Sequence, residues 1–85
     1  MQPELHIYVD RACSVCDEAR RLASLVQQKL PQLRVALIDV TQEGAHIPEQ
    51  VFAVPTYLLN GKTLWLGNPN ELEFLQRLTR AMRQT

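Results

Sequence analysis

The sequence predicts an α/β fold in the order β-α-β, a connector, then β-β-α. Three observations carry that prediction. Leu5-His6-Ile7-Tyr8-Val9 alternates along a strand, and from Ser14 the apolar spacing lengthens to three and four residues. Leu33-Arg34-Val35-Ala36-Leu37-Ile38-Asp39-Val40 then supplies a second strand pattern, completing a βαβ unit. Finally, Asn60-Gly61 stands between two short strand patterns, with a helical pattern after them.

Each element has its own warrant. In the first strand Leu5, Ile7 and Val9 share one face, and His6 points from the other. Asp10-Arg11-Ala12 leads out of the strand. Val15, Ala19, Leu22, Val26 and Leu30 form one stripe of the first helix, which Pro31 ends. The second strand is apolar on both faces, as expected of a parallel strand with helices on each side. Residues 41–52 contain Gly44 and Pro48 and leave room only for a short helix or turn. Residues 56–59 and 63–66 pair as a tight antiparallel hairpin, and a turn with Gly67 and Pro69 follows. From Asn70, which serves as a cap, Leu72, Leu75, Leu78 and Met82 mark a terminal amphipathic helix. Trp65 and Tyr8 read as residues that cover the sheet.

Bulk properties narrow the functions. The 85 residues have room for a single domain, 1–85, and 46% apolar residues suffice for a core. Nine basic and nine acidic side chains cancel, which argues against a nucleic-acid or anionic-lipid partner. No uninterrupted apolar run exceeds the four residues of Val35-Ala36-Leu37-Ile38, far short of the ~18 that mark a spanning helix. A cytoplasmic monomer with no membrane partner is therefore expected.

Both cysteines fall in one segment, Cys13-Ser14-Val15-Cys16. A disulfide there closes too small a loop to constrain the unfolded chain much, so its value is chemical. The pair lies where the first strand passes into the first helix, and helix N-terminal N–H groups and dipole favour a thiolate. Cys13 is the expected nucleophile. Cys16, one turn deeper on the same face, is the expected resolving thiol, which attacks the mixed disulfide at Cys13. Arg11 favours the thiolate, while Asp10, Asp17 and Glu18 oppose it. Two other readings stand beside this one. The cysteines could form half of a zinc or cluster site, including one shared across a dimer, although His6 and His46 form no second paired motif with them. They could also be small buried side chains in a partner-binding domain without turnover.

The last informative segment is Val54-Pro55-Thr56, where a proline opens a strand. A strand before Cys-x-x-Cys, a long helix, a second strand, Val-Pro-Thr opening a hairpin and a final helix together resemble the glutaredoxin and thioredoxin superfamily over nearly the whole chain. The short N-terminus and Cys-x-x-Cys-Asp-Glu-Ala are similar to small bacterial glutaredoxin-like proteins. The resemblance implies a thioredoxin-like fold, a four-stranded mixed sheet with helices on both faces, and a thiol-disulfide oxidoreductase acting on protein or glutathione mixed disulfides. It implies no tightly bound cofactor, with glutathione or a thioredoxin-type reductase as electron source. It also implies a cis Pro55 beside the cysteines and a Val54 whose backbone pairs with a bound peptide or glutathione. Arg11 and Gly67 complete the candidate substrate-binding set, Gly67 by offering turn N–H groups to a carboxylate. Its competing reading is a turn glycine without a ligand.

The departures are specific. Ser14-Val15 matches neither the Pro-Tyr of glutaredoxins nor the Gly-Pro of thioredoxins. Ala12 and Ile7 replace the tryptophan and buried acid of thioredoxins, and Asp10 stands where glutaredoxins usually carry a lysine.

Overall fold

A computed structural model describes residues 2–83. The elements run β1 (Glu4–Val9), α1 (Cys16–Lys29), β2 (Arg34–Asp39), β3 (Thr56–Leu59), β4 (Lys62–Leu66) and α2 (Glu71–Arg83). The four strands form one mixed sheet in the order β2-β1-β3-β4. β1 and β2 are parallel from Glu4 opposite Arg34 to Val9 opposite Asp39. β3 runs antiparallel to β1, with Tyr8 opposite Thr56 and Leu5 opposite Leu59.

The hairpin follows from its turn chemistry. Asn60 and Gly61 both adopt positive φ, 52° and 83°, as a two-residue loop that matches strand twist requires. Asn60 has a second task, since its side-chain oxygen accepts the Glu4 N–H at 2.9 Å and so ties the loop to the start of β1. Between Tyr57 opposite Trp65 and Leu58 opposite Thr63, β4 holds one extra residue, a bulge at Leu64. The bulge puts Trp65 on the Tyr57 face, where the Arg77 guanidinium lies 5.3 Å from its ring.

One core unites Leu5, Ile7 and Val9 of β1 with Cys16, Ala19, Leu22, Ala23 and Val26 of α1, Tyr57 of β3, and Phe74 and Leu78 of α2. Both helices therefore cover the Ile7 face of the sheet. This corrects the expectation of helices on both faces. The opposite face lies toward the crossover from β2 to β3, and residues 41–52 make turns rather than a helix. Gly44 takes a φ of 82°, and Val51 N–H closes a turn onto the Pro48 carbonyl at 3.0 Å. The crossover reaches the far hairpin, where the Gln50 amide donates to the Gly61 carbonyl at 2.9 Å. On this face Tyr8, Leu58 and Thr56 are buried.

Three further details differ from the periodicity. β2 is an edge strand, so its apolar run is only partly covered and Leu37 is 45% exposed. Val15 is in phase with the α1 stripe but precedes the helix as its N-cap residue, and is 56% exposed. Cys16 takes the place expected for it. In α2 the buried side chains are Phe74 and Leu78, whereas Leu72 is 65% exposed. Asn70 does cap the helix, accepting the Glu73 N–H on its side-chain oxygen at 3.2 Å.

Candidate functional site

Cys13 and Cys16 are joined in a disulfide whose Cα atoms lie 5.3 Å apart. Short backbone bonds shape the segment: Cys13 N–H donates to the Asp10 carbonyl at 3.1 Å, Cys16 N–H to Cys13 at 3.2 Å, and Asp17 N–H to Ser14 at 3.3 Å. These turns put Cys13 just outside α1 and Cys16 at its first position. The two sulfurs consequently differ in access. Cys16 is fully buried in the core, while Cys13 is only partly covered. Ser14 and Val15 N–H groups form no hydrogen bond among the described residues, so they remain free at the helix entrance.

The charges around the pair are largely neutralised by one another. Asp10 accepts the Ala12 N–H on its carboxylate at 2.8 Å, and its carbonyl also receives Arg20 at 3.2 Å. Arg20 reaches Asp17 at 3.0 Å. Glu18 is bound by both ends of the Arg21 guanidinium, a contact that lowers the Glu18 pKa from its ordinary value. Arg11 lies 3.5 Å from Asp39 at the end of β2, with most of its side chain in solvent. Hydrogen bonds from Thr41, and then Arg11, hold Asp39 below its ordinary value. The α1 N-terminus, by contrast, keeps the Ser14 and Val15 N–H groups without hydrogen-bond partners among the described residues.

The sheet register brings the second segment to the same end of the molecule, because Thr56 pairs with Tyr8 close to where β1 leads into Cys13. The Val54–Pro55 bond is cis, and Pro55 is buried. The Thr56 hydroxyl spans this bend by donating to the Ala53 carbonyl at 2.6 Å. Val54 packs partly against the core, and among the described residues its own N–H and C=O form no hydrogen bond. Gly67 differs. Its N–H donates to the Pro55 carbonyl at 2.9 Å, and its φ is 79°. That donor is committed within the protein, which favours the reading of Gly67 as a turn glycine that secures Pro55.

Two residues that periodicity could not single out complete the site. Asn68 donates its amide to the Val15 carbonyl at 2.6 Å and accepts the Tyr57 hydroxyl at 2.9 Å. Tyr57 is fully buried, and burial pushes its hydroxyl pKa well above the ordinary value. His6 is bound to Glu4 at 3.2 Å, near the start of β1. Among the described residues no three His, Cys, Asp or Glu side chains gather as a metal site, and no helix is long and apolar enough to cross a membrane.

No family model matches the sequence, and no curated protein matches it. Solved structures do match in fold. Oxidised thioredoxin O2 of Arabidopsis thaliana aligns with a TM-score of 0.74 at 16% identity, over 93% of this chain and 74% of that one. Thioredoxin of Fasciola hepatica gives 0.70 at 25% identity, over 93% and 80%. A thioredoxin-like protein of Bacillus cereus gives 0.64 at 25% identity, over 95% and 88%. With its sheet order, its helices on the Ile7 face and its disulfide at the strand-to-helix junction, the chain has a thioredoxin-like fold.

Proposed function

We propose that this protein is a thiol-disulfide oxidoreductase that reduces protein or glutathione mixed disulfides through Cys13 and Cys16. The observation that carries the reading is the disulfide itself, formed between a partly accessible Cys13 and a buried Cys16 at the entrance to α1. In the reduced form the Cys13 thiolate attacks a substrate disulfide. A Cys13–substrate S–S bond forms as the substrate bond breaks, and the first substrate sulfur leaves as a thiolate that takes a proton from water. Cys16, deprotonated in turn, attacks the Cys13 sulfur, closing the Cys13–Cys16 bond and releasing the second substrate thiolate. Two electrons pass from the dithiol to the substrate. The free Ser14 and Val15 N–H groups and the helix dipole favour the Cys13 thiolate.

The unpaired backbone of Val54 supports its role as the docking edge for an extended substrate, with Pro55 fixing the bend. Arg11 is a weaker candidate for substrate contact, because Asp39 already pairs with it. The glutaredoxin-like assignment rests on Cys-x-x-Cys-Asp-Glu-Ala, and it makes glutathione the reductant, with a thioredoxin-type reductase as the competing source. A cytoplasmic location fits a pair that must cycle through the dithiol.

The test is reduction of a mixed disulfide between a model peptide and glutathione, followed with wild type and Cys13→Ser. Loss of turnover in Cys13→Ser is expected; unchanged turnover would remove Cys13 from the chemistry and overturn the reading.

A further inference from the structure

The peptide that joins the two cysteines is held from outside its own helix. Val15 has no side-chain cap at the start of α1, and its side chain lies mostly in solvent. Among the described residues, the amide of Asn68 makes the only side-chain hydrogen bond to residues 13–16, at the Val15 carbonyl. That amide is itself oriented. A carbonyl can only accept, so the Asn68 nitrogen faces Val15 and its oxygen faces the Tyr57 hydroxyl. Tyr57 cannot swing away, being fully buried with its ring set edge-on to Phe74 at 5.1 Å. A rigid chain of contacts thus runs from the core through Tyr57 and Asn68 to the backbone between Cys13 and Cys16.

We propose that Asn68 is a positioning residue for thiol-disulfide exchange: its amide fixes the Val15 peptide and so raises the effective concentration of the Cys16 thiolate at a mixed disulfide on Cys13. The inference rests on the Cys13–Cys16 reading given above and adds a determinant from a distant turn. The step it governs is resolution. With glutathione bound at Cys13, Cys16 attacks the Cys13 sulfur, the Cys13–Cys16 bond forms, the bond to glutathione breaks, and glutathione leaves as its thiolate while the proton of Cys16 passes to water. Cys16 is buried and preplaced, so this closure is intramolecular and its equilibrium depends on how firmly the intervening peptide is held. A peptide released from its tether samples more conformations, and fewer of them bring the sulfurs together.

The experiment equilibrates the full-length protein in graded reduced and oxidised glutathione, quenches with acid, alkylates, and counts dithiol, mixed disulfide and intramolecular disulfide by intact mass. Multiplied by the reduced glutathione concentration, the ratio of intramolecular to mixed disulfide is the effective concentration of Cys16. Asn68→Ala removes both contacts, whereas Asn68→Asp keeps an acceptor for Tyr57 and loses the donor to Val15. Loss of one hydrogen bond should lower the effective concentration in both variants by roughly two- to tenfold. Thermal melts identify any variant that has not folded, and Asn68→Asp, the smaller change, then carries the test. An unchanged ratio in folded variants overturns the proposal. So does a fall confined to Asn68→Ala, which would trace the effect to the stranded Tyr57 hydroxyl. A wild type that forms neither disulfide anywhere in the series refutes the oxidoreductase reading instead, and the two failures are distinguishable.

Discussion

Replacing Phe74 with alanine separates the geometry of α2 from its leucine pattern. Phe74 is fully buried, and its ring meets Tyr57 edge-on at 5.1 Å. Only Leu78 matches it in burial on that helix. Truncating a buried phenylalanine costs about 3–5 kcal/mol, combining lost transfer energy, a residual cavity and the aromatic pair. A small domain has about 5–15 kcal/mol in all, so Phe74→Ala removes a large share of it. With a urea slope of about 1–1.5 kcal/mol per M, the midpoint should fall by roughly 2–5 M. Leu72→Ala is the control. Leu72 is 65% exposed and alanine is as good a helix former, so its midpoint should shift by about 0.5 M or less. The assay is urea unfolding of both variants in the disulfide form, followed by far-ultraviolet circular dichroism. Equal shifts, or a larger one for Leu72→Ala, would mean that α2 presents a different face, and the Tyr57–Asn68 contact built on that packing would fall with it.

Three further outcomes follow from the same structure. Cys16→Ser should accumulate a stable mixed disulfide at Cys13 with glutathione, seen by intact mass, because the resolving sulfur is gone; if instead only unmodified protein were found, Cys13 would not be the accessible nucleophile. Gly61→Ala should cost about 1–2 kcal/mol, since φ is 83° there and no atom lies near the added carbon, so the penalty is purely one of backbone; a loss below a few tenths would contradict the turn geometry. Stability should fall in acid. Glu18 and Asp39 are held below their ordinary values by Arg21 and by Thr41 with Arg11, so the unfolded chain takes up their protons first as pH drops. Their contribution is therefore complete above the ordinary carboxylate range of about pH 4–4.5 and lost as pH falls through the lowered folded values. Glu18→Gln together with Asp39→Asn should flatten urea midpoints measured across this range, and an unaltered slope would exclude both groups as its source.

Much of the fold was legible because local signals were strong and mutually consistent. The alternation in β1, the Asn60-Gly61 loop and the Asn70 cap each act over a few residues, and each appears where the residue types require it. Misreadings arose where periodicity was taken without angle or context. At about 100° per residue, Leu72 lies about 120° around α2 from Leu78, whereas Phe74 lies about 40° away. The helical wheel therefore places Phe74, not Leu72, beside Leu78 on the buried face. Val15 illustrates the opposite error, since its phase is right but the helix has not yet begun. The apolar run of β2 suggested a covered central strand, yet the chain crosses over β1 before returning as β3 and leaves β2 at the edge.

The candidate site divides along the same line. Cysteine spacing and position before a helix are local facts, so the pair that forms the disulfide could be read directly. The use of each backbone group could not. Sequence alone left Gly67 open to both a turn role and a carboxylate; the fold sets its N–H against the Pro55 carbonyl, twelve positions back along the chain. Asn68 gave no signal because its partners, Val15 and Tyr57, lie 53 and 11 residues away. A polar side chain in an ordinary turn has no periodicity to betray it; only the tertiary arrangement reveals that its two ends connect the core to the cysteine turn. Signals for reactive groups can thus be inherited from short motifs, whereas the groups that hold them in place are defined by long-range contacts. On the function proposed above, Cys13 and Cys16 supply the sulfur chemistry, and the geometry in which they meet depends on Tyr57 and Asn68, which come together only when β3 and the turn before α2 close against α1.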